Sequence, residues 1–341
     1  MVANALSATY DHIQKIVALE LGWRRDPSSW TAENDSDFEL IVDQGLRQFY
    51  YPDILPGEQS QHNWSFLYPL AEIELTAVHT TGKIDNIAAG VVTGIATAFP
   101  SWTAQGDLWI VDDEQTRRYT IDASKSVTAT SFTLNDLNAS ISTPADLTYS
   151  LHRHYYDLPD DFGGMASDGF VYRRDEYRGQ VVRQVGEATL RSMDHEYNTA
   201  LYPEVFALVP VVPTASQSSR WQVIFQPLAQ ETMFLEYRYN AIPPTLTGGA
   251  HIYHYGGAEH SEAVISSVVD KAHQVINNSY EKHEAFLAAL RRSVARDRRN
   301  YNEKSLGSSV MTDGAHSNGL HETISDFRSS IAPGDITYTF G

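Results

Sequence analysis

The chain has 341 residues, 42% of them hydrophobic and 20% charged, with a formal charge of −18 and no cysteine. This is the composition of a folded globular protein, and it argues against wholesale disorder. The lack of cysteine excludes disulfides, thiolate metal sites and cysteine nucleophiles, the acidic balance disfavours general nucleic-acid binding, and no apolar run approaches the roughly 20 residues that cross a bilayer.

The first 50 residues predict two helices. Leu6, Tyr10, Ile13, Val17 and Leu21 recur at three- and four-residue spacing, which gathers them on one helix face. The stretch 1-MVANALSATYDHIQK-15 has no basic region ahead of a long apolar run and does not read as a secretory signal. After the turn-rich 22-GWRRDPSSW-30, Ser36 and Glu39 have capping-box spacing. Phe38, Ile41, Val42, Leu46 and Phe49 form the buried stripe of that second helix, and Pro52 stops it.

Near Gly82 the pattern changes to short Val-, Ile- and Thr-rich runs punctuated by Gly, Pro, Asp and Ser. It predicts strands near 91–97, 107–111, 117–122 and 131–135. The runs 71–78 and 146–156 lead into and out of this region. Helical material follows it, so it reads as an inserted, barrel-like β-module.

Beyond it, 175–193 is a helix candidate with Val182, Val185, Thr189 and Met193 on one face. The runs 221-WQVIFQPL-228 and 232-TMFLEYRYNAIPP-244, joined by Ala229-Gln230-Glu231, predict a β-hairpin. Residues 259–303 predict two helices, one with Val264, Val268, Ala272 and Val275 inward and one with Phe286, Leu290 and Val294 inward. The polar 305–341 reads as an extended arm. The expected fold is therefore α+β: a helical-bundle body with a β-hairpin region over 1–80 and 146–304, a small all-β module over 81–145, and the arm over 305–341.

The chemical motifs are weak. Asp161-Phe162-Gly163 matches the magnesium-binding triplet of protein kinases, but the chain has no Gly-rich phosphate loop and no His-Arg-Asp ahead of it. Pro159, Asp160 and Gly163-Gly164 instead fit a turn. His152 and His154 alternate on one strand, and His251, His254 and His260 cluster, yet no carboxylate stands at a recognised ligand spacing. The neighbouring acids Asp112-Asp113 and Asp160-Asp161 read as solvated turn residues. Neither a nucleophile elbow nor a phosphate loop occurs. No catalytic residue, cofactor or metal is expected. Arg291, Arg292, Arg296, Arg298 and Arg299 make a basic patch on an acidic chain. Such a patch suits a helix end, an acidic partner or DNA phosphates.

Three stretches, 37-DFELIVDQGLRQFYYPDILPG-57, 98-AFPSWTAQGDLWIVDDEQTRRYTI-121 and the block from 157-DLPDDFGGM-165 through 244, resemble the head–tail adaptor (connector) proteins of tailed bacteriophages. The resemblance covers most of the chain, through loose patterns of fold. It implies a non-enzymatic virion subunit, made in the host cytoplasm, that assembles as a homo-oligomeric ring of twelve in the neck. Its partners would be the portal protein, a tail or nozzle protein, and double-stranded DNA passing without sequence recognition; no membrane is involved. On that reading Leu320, Ile324, Phe327, Ile331, Tyr338 and Phe340 of the arm are the candidate partner anchors, and the arginine patch faces portal or DNA. Two rival readings are a tail or baseplate protein whose β-module binds carbohydrate, with Trp30, Trp64, Trp102 and Trp109 as stacking rings, and a histidine-metal enzyme.

Overall fold

The computed structural model describes residues 6–56, 58–112, 115–141, 146–173, 181–193, 202–212, 220–248 and 252–301. The chain divides into two compact units, Met1–Ala295 and Arg296–Gly341.

Helix α1 spans Tyr10–Leu21, with Thr9 as its N-cap accepting from the His12 amide. Gly22 ends it at φ +72°, a left-handed conformation that glycine adopts at little cost, so that Gly22 and Trp23 donate back into the last turn. Helix α2 spans Ala32–Tyr50. Its cap is Thr31, five residues ahead of the expected Ser36, and Ser36 lies inside the helix. All five expected stripe residues of α2 are buried, whereas Leu6 of the α1 stripe precedes its helix and is exposed.

Fourteen strands in three sheets and five α-helices make up the described residues. With fourteen strands against five helices the described chain is mostly β, and the expected helical-bundle body is overturned: an eight-stranded sheet shares the body with the helices. The largest sheet contains β1 (Leu70–Leu75), β8 (Tyr156–Asp157), β9 (Phe162–Met165), β10 (Gly169–Tyr172), β11 (Val181–Gln184), β12 (Val205–Val211), β13 (Arg220–Gln226) and β14 (Met233–Ala241). Its order is β1-β14-β10-β11-β12-β13-β8, with β9 also on β14. Of the expected helix over 175–193, residues 175–180 lie outside the described residues, 181-VVRQ-184 is a strand, and only α3, Glu187–Met193, is helical, with Gly186 between the two. The β-branched residues of that strand suit a pleated surface better than a helix.

The expected hairpin is overturned as well. β13 pairs with β12 along its full length and with β8, while β14 pairs with β1, β10 and β9. Alternation along 232–241 does report a buried and a more exposed face. It specifies a face, not a partner, and a short loop does not force the flanking strands together.

One side of the large sheet gathers Phe162, Phe170, Phe206, Phe225, Leu235, Tyr237 and Tyr239 into a core. Phe170 meets Phe206 edge-on at 4.7 Å and Phe225 at 5.1 Å. On the other side α3 covers Ala207 and Ile224 with Leu190. The helices α1, α2, α4 (Ser261–Asn277) and the first part of α5 (His283–Tyr301) share a separate core built on Phe38, Ile41, Phe49, Val264, Val268 and Leu290. Each such side chain contributes about 1.5–3 kcal/mol on burial. α2 and α4 cross closely at Gly45, where an added Cβ would lie 2.7 Å from Val268 Cα, and Ser267 donates to the Gly45 carbonyl at 2.7 Å.

The inserted region contains β2 (Lys83–Ala88), β3 (Val91–Ile95), β4 (Gly106–Asp112), β5 (Gln115–Thr120), β6 (Ser131–Thr133) and β7 (Tyr149–Arg153). They form two sheets, β2-β3-β6 and β5-β4-β7. Single bridges, Ile84 to Leu147 and Ile121 to Leu134, join the sheets at both edges and close a barrel around Ile84, Val92, Leu108, Ile110, Phe132 and Leu151. Closure removes the free edges that a small sheet otherwise exposes. At its root His79 and Leu151 exchange backbone hydrogen bonds of 3.0 and 2.9 Å.

Candidate functional site

The Asp-Phe-Gly triplet sits at the joint of the body. The Phe162 amide donates to the Pro159 carbonyl at 2.9 Å, closing a turn, and the Ile242 amide donates to the Asp161 carbonyl at 2.7 Å. Both oxygens of the Asp161 carboxylate are engaged: Oδ1 accepts from the Tyr239 hydroxyl at 2.9 Å and Oδ2 from the Tyr255 hydroxyl at 3.1 Å. The Tyr255 amide in turn donates to the Tyr50 hydroxyl at 2.9 Å, at the end of α2. Burial first, then the Asp161 charge, pushes Tyr255 up to about 12; burial first, then the hydrogen bond to Asp161, raises Tyr239. This carboxylate clamps sheet to helices, and Gly163 beside it permits close approach: a Cβ there would lie 2.7 Å from Ile242 Cγ1.

The histidines are distributed among separate polar contacts. His152 Nε2 lies 3.0 Å from Ser150 Oγ, and its ring packs on Trp109 at 4.7 Å. Burial lowers its pKa to about 4, against a smaller upward pull from Asp107. His154 Nδ1 stands 4.0 Å from Asp107, whose Oδ2 accepts from Arg118 Nε at 3.1 Å and Nη2 at 2.6 Å. His254 gives its Nδ1 proton to the Tyr255 carbonyl at 2.6 Å and turns Nε2 to Ser261 Oγ at 2.9 Å. His260 Nδ1 meets Ser293 Oγ at 2.6 Å. His251 lies outside the described residues. Among the described residues no group of three His, Asp or Glu is arranged to hold a metal ion.

The Ser261–His254 pair is a contact that sequence spacing did not suggest. Burial lowers the His254 pKa, and the His254 Nε2 at 2.9 Å and the Gly257 carbonyl at 3.1 Å both lie within reach of the single Ser261 hydroxyl proton. Ser261 Oγ also accepts the Ala8 amide at 2.9 Å and is itself buried, so the pair fastens the segment before α1 to the start of α4.

The four tryptophans are engaged in packing. Trp64 is buried with Nε1 donating to the Phe49 carbonyl at 3.0 Å. Trp30 meets Trp23 and Phe38 edge-on, Trp102 packs on the barrel core, and Trp109 lies between Arg118 and His152.

Among the described residues a broad cleft opens beside the Asp161 clamp. It has two hollows that share Tyr50, Tyr51 and Ile242. The larger, about 780 Å³, takes Asp43, Arg47 and Gln48 from α2, Lys271 from α4 and the Pro243-Pro244 exit of β14. Arg47 pairs with Asp43 at 2.9 Å. Gln48 reaches inward to the fully buried Asp270, which also accepts from Gln274 and His283 at 2.8 and 3.0 Å. The smaller hollow, about 310 Å³, is lined by residues 61–64, Leu67, Tyr68, Gly163 and the end of β14. Its wall residues come from segments far apart in sequence, so no local spacing announces it.

Of the expected basic patch, Arg291 and Arg292 are exposed on α5, and Arg292 pairs with Glu262 at 2.9 Å. Arg296, Arg298 and Arg299 belong to the second unit, where Arg298 and Arg299 are exposed. Leu320, Ile324, Phe327, Ile331, Tyr338 and Phe340 lie outside the described residues.

Comparison with protein-family models and with curated proteins finds no match to this sequence.

Proposed function

We propose that this chain is a structural subunit of a tailed-phage neck, a head–tail adaptor that joins the portal to the tail as a ring of twelve copies and extends the DNA channel. The observation that carries the reading is the order of the three stretches that resemble adaptors. They fall on α2 and its proline stop, on β4 and β5 of the inserted barrel, and on the clamp turn together with the large sheet. The functional reading rests on that order and not on a helical bundle.

The charge supports it. A formal charge of −18 suits a channel wall that DNA passes without adhering. The arginines of α5 would contact an acidic portal face or phosphate at a rim. The apolar side chains of the arm, spaced among polar residues in the sequence, suit anchoring on a neighbour. Tagging the chain and imaging the particles tests the proposal. A ring of density between portal and tail is expected; label elsewhere on the particle, or none in it, would refute it.

A further inference from the structure

We propose that the smaller hollow of the cleft binds a neutral saccharide. The chain carries a formal charge of −18, yet among the described residues lining this hollow none is Asp, Glu, Lys or Arg. Apart from the His62 imidazole, that lining has no side chain that ionises near neutral pH to partner a phosphate, a carboxylate or an ammonium group, each of which costs heavily to desolvate unpaired. What it offers is planar amides and rings. Gln61, Asn63 and Asn240 are exposed at the rim, and among the described residues none of their carboxamides has a hydrogen-bond partner. A carboxamide both donates and accepts, matching the two roles of a sugar hydroxyl.

Between the amides stand Tyr51, 53% exposed, and the half-buried His62 and Tyr68. Such rings present an apolar face to the C–H side of a pyranose while their polar tips stay wet. The floor is held in place. Trp64 is fixed by its hydrogen bond to Phe49 and stacks on Phe66 at 5.3 Å, and the Asp161 clamp ties down the turn that carries Gly163. A volume of about 310 Å³ stands at the small end of ligand pockets, suited to one or two sugar rings, and a longer chain has the adjoining hollow to run into.

The test uses the isolated full chain and saturation-transfer NMR with a panel of neutral hexose and N-acetylhexosamine oligosaccharides of one to four units. Ring protons of at least one member should receive saturation. Tyr51→Ala should weaken its binding roughly tenfold, and Asn63→Ala and Asn240→Ala roughly three- to tenfold each. Melting curves should show all three variants folded, since the three side chains are exposed. The proposal falls if no panel member receives saturation, if binding is the same in all three variants, or if a proline-rich peptide occupies the hollow and no sugar does. The assay requires no assembly, so its result is independent of the adaptor reading.

Discussion

The Tyr255 hydroxyl donates to Asp161 Oδ2 at 3.1 Å, while the Tyr255 amide donates to the Tyr50 hydroxyl at 2.9 Å. One residue thus ties the turn before β9 to the end of α2. Asp161 completes the link by accepting from Tyr239 on β14. Replacing Asp161 by Ala removes a charged acceptor from two tyrosines. The variant is expected to lose about 2–4 kcal/mol in urea unfolding, and Tyr255→Phe about 1–2 kcal/mol. A change under half a kcal/mol for Asp161→Ala would show that the contacts do not bear on stability. Magnesium should leave the melting temperature of the native chain unchanged.

Two glycines separate conformational from steric cost. At Gly22 an added Cβ meets nothing within 4 Å, but φ is +72°. Gly22→Ala should therefore cost about 1–2 kcal/mol through backbone strain alone. At Gly45 the obstacle is the backbone of Val268 at 2.7 Å, which has to move with its helix. Gly45→Ala should cost about 2–3 kcal/mol or more. Equal losses in the two variants would contradict the close crossing of α2 and α4.

Acid should destabilise the fold through two buried histidines, His152 on β7 of the barrel and His254 ahead of α4. His152 titrates at about 4 in the folded chain and His254 is also lowered, both through burial. An unfolded histidine titrates near ~6.5, so below that pH the unfolded chain binds more protons than the folded one. The stability these two contribute is fully present above pH ~6.5 and declines as pH falls through that value. For His152 the loss approaches ~3 kcal/mol by pH 4. The variant His152→Gln should flatten the stability profile between pH 6.5 and 4; an unchanged slope would contradict this.

The barrel should be separable. Its root is tied by the His79–Leu151 pair, and its core is distinct from the other clusters. Removing 80–152, which takes out all of the barrel core, and inserting a short Gly/Ser link should leave a soluble body that retains the helical signal in circular dichroism. Collapse of the whole chain would show that the large sheet depends on the barrel.

Several local elements were legible, but the fold class was not: the sheet that replaces the expected helical bundle is built from pairings between distant segments. The stripe Phe38, Ile41, Val42, Leu46 and Phe49 is buried as its spacing requires, and the runs near 91, 107, 117 and 131 are strands. What periodicity does not carry is partnership. The runs 221–228 and 232–244 look like a hairpin, yet three strands stand between them in the sheet. Helix 175–193 failed where Val181 and Val182 found neighbours in β10. The clamp was visible only as a turn, because Tyr239 and Tyr255 lie about 80 to 90 residues beyond Asp161. The cleft was invisible for the same reason, with walls drawn from four or more distant segments.

The adaptor proposal is tested most directly by the mass of the complex that the purified chain forms with isolated portal rings, measured by sedimentation. The account predicts twelve copies bound to each portal ring, and no binding by a chain truncated after Lys304 that remains folded. A full-length chain that stays apart from portal rings, or a truncated chain that binds them in the same number, would contradict it.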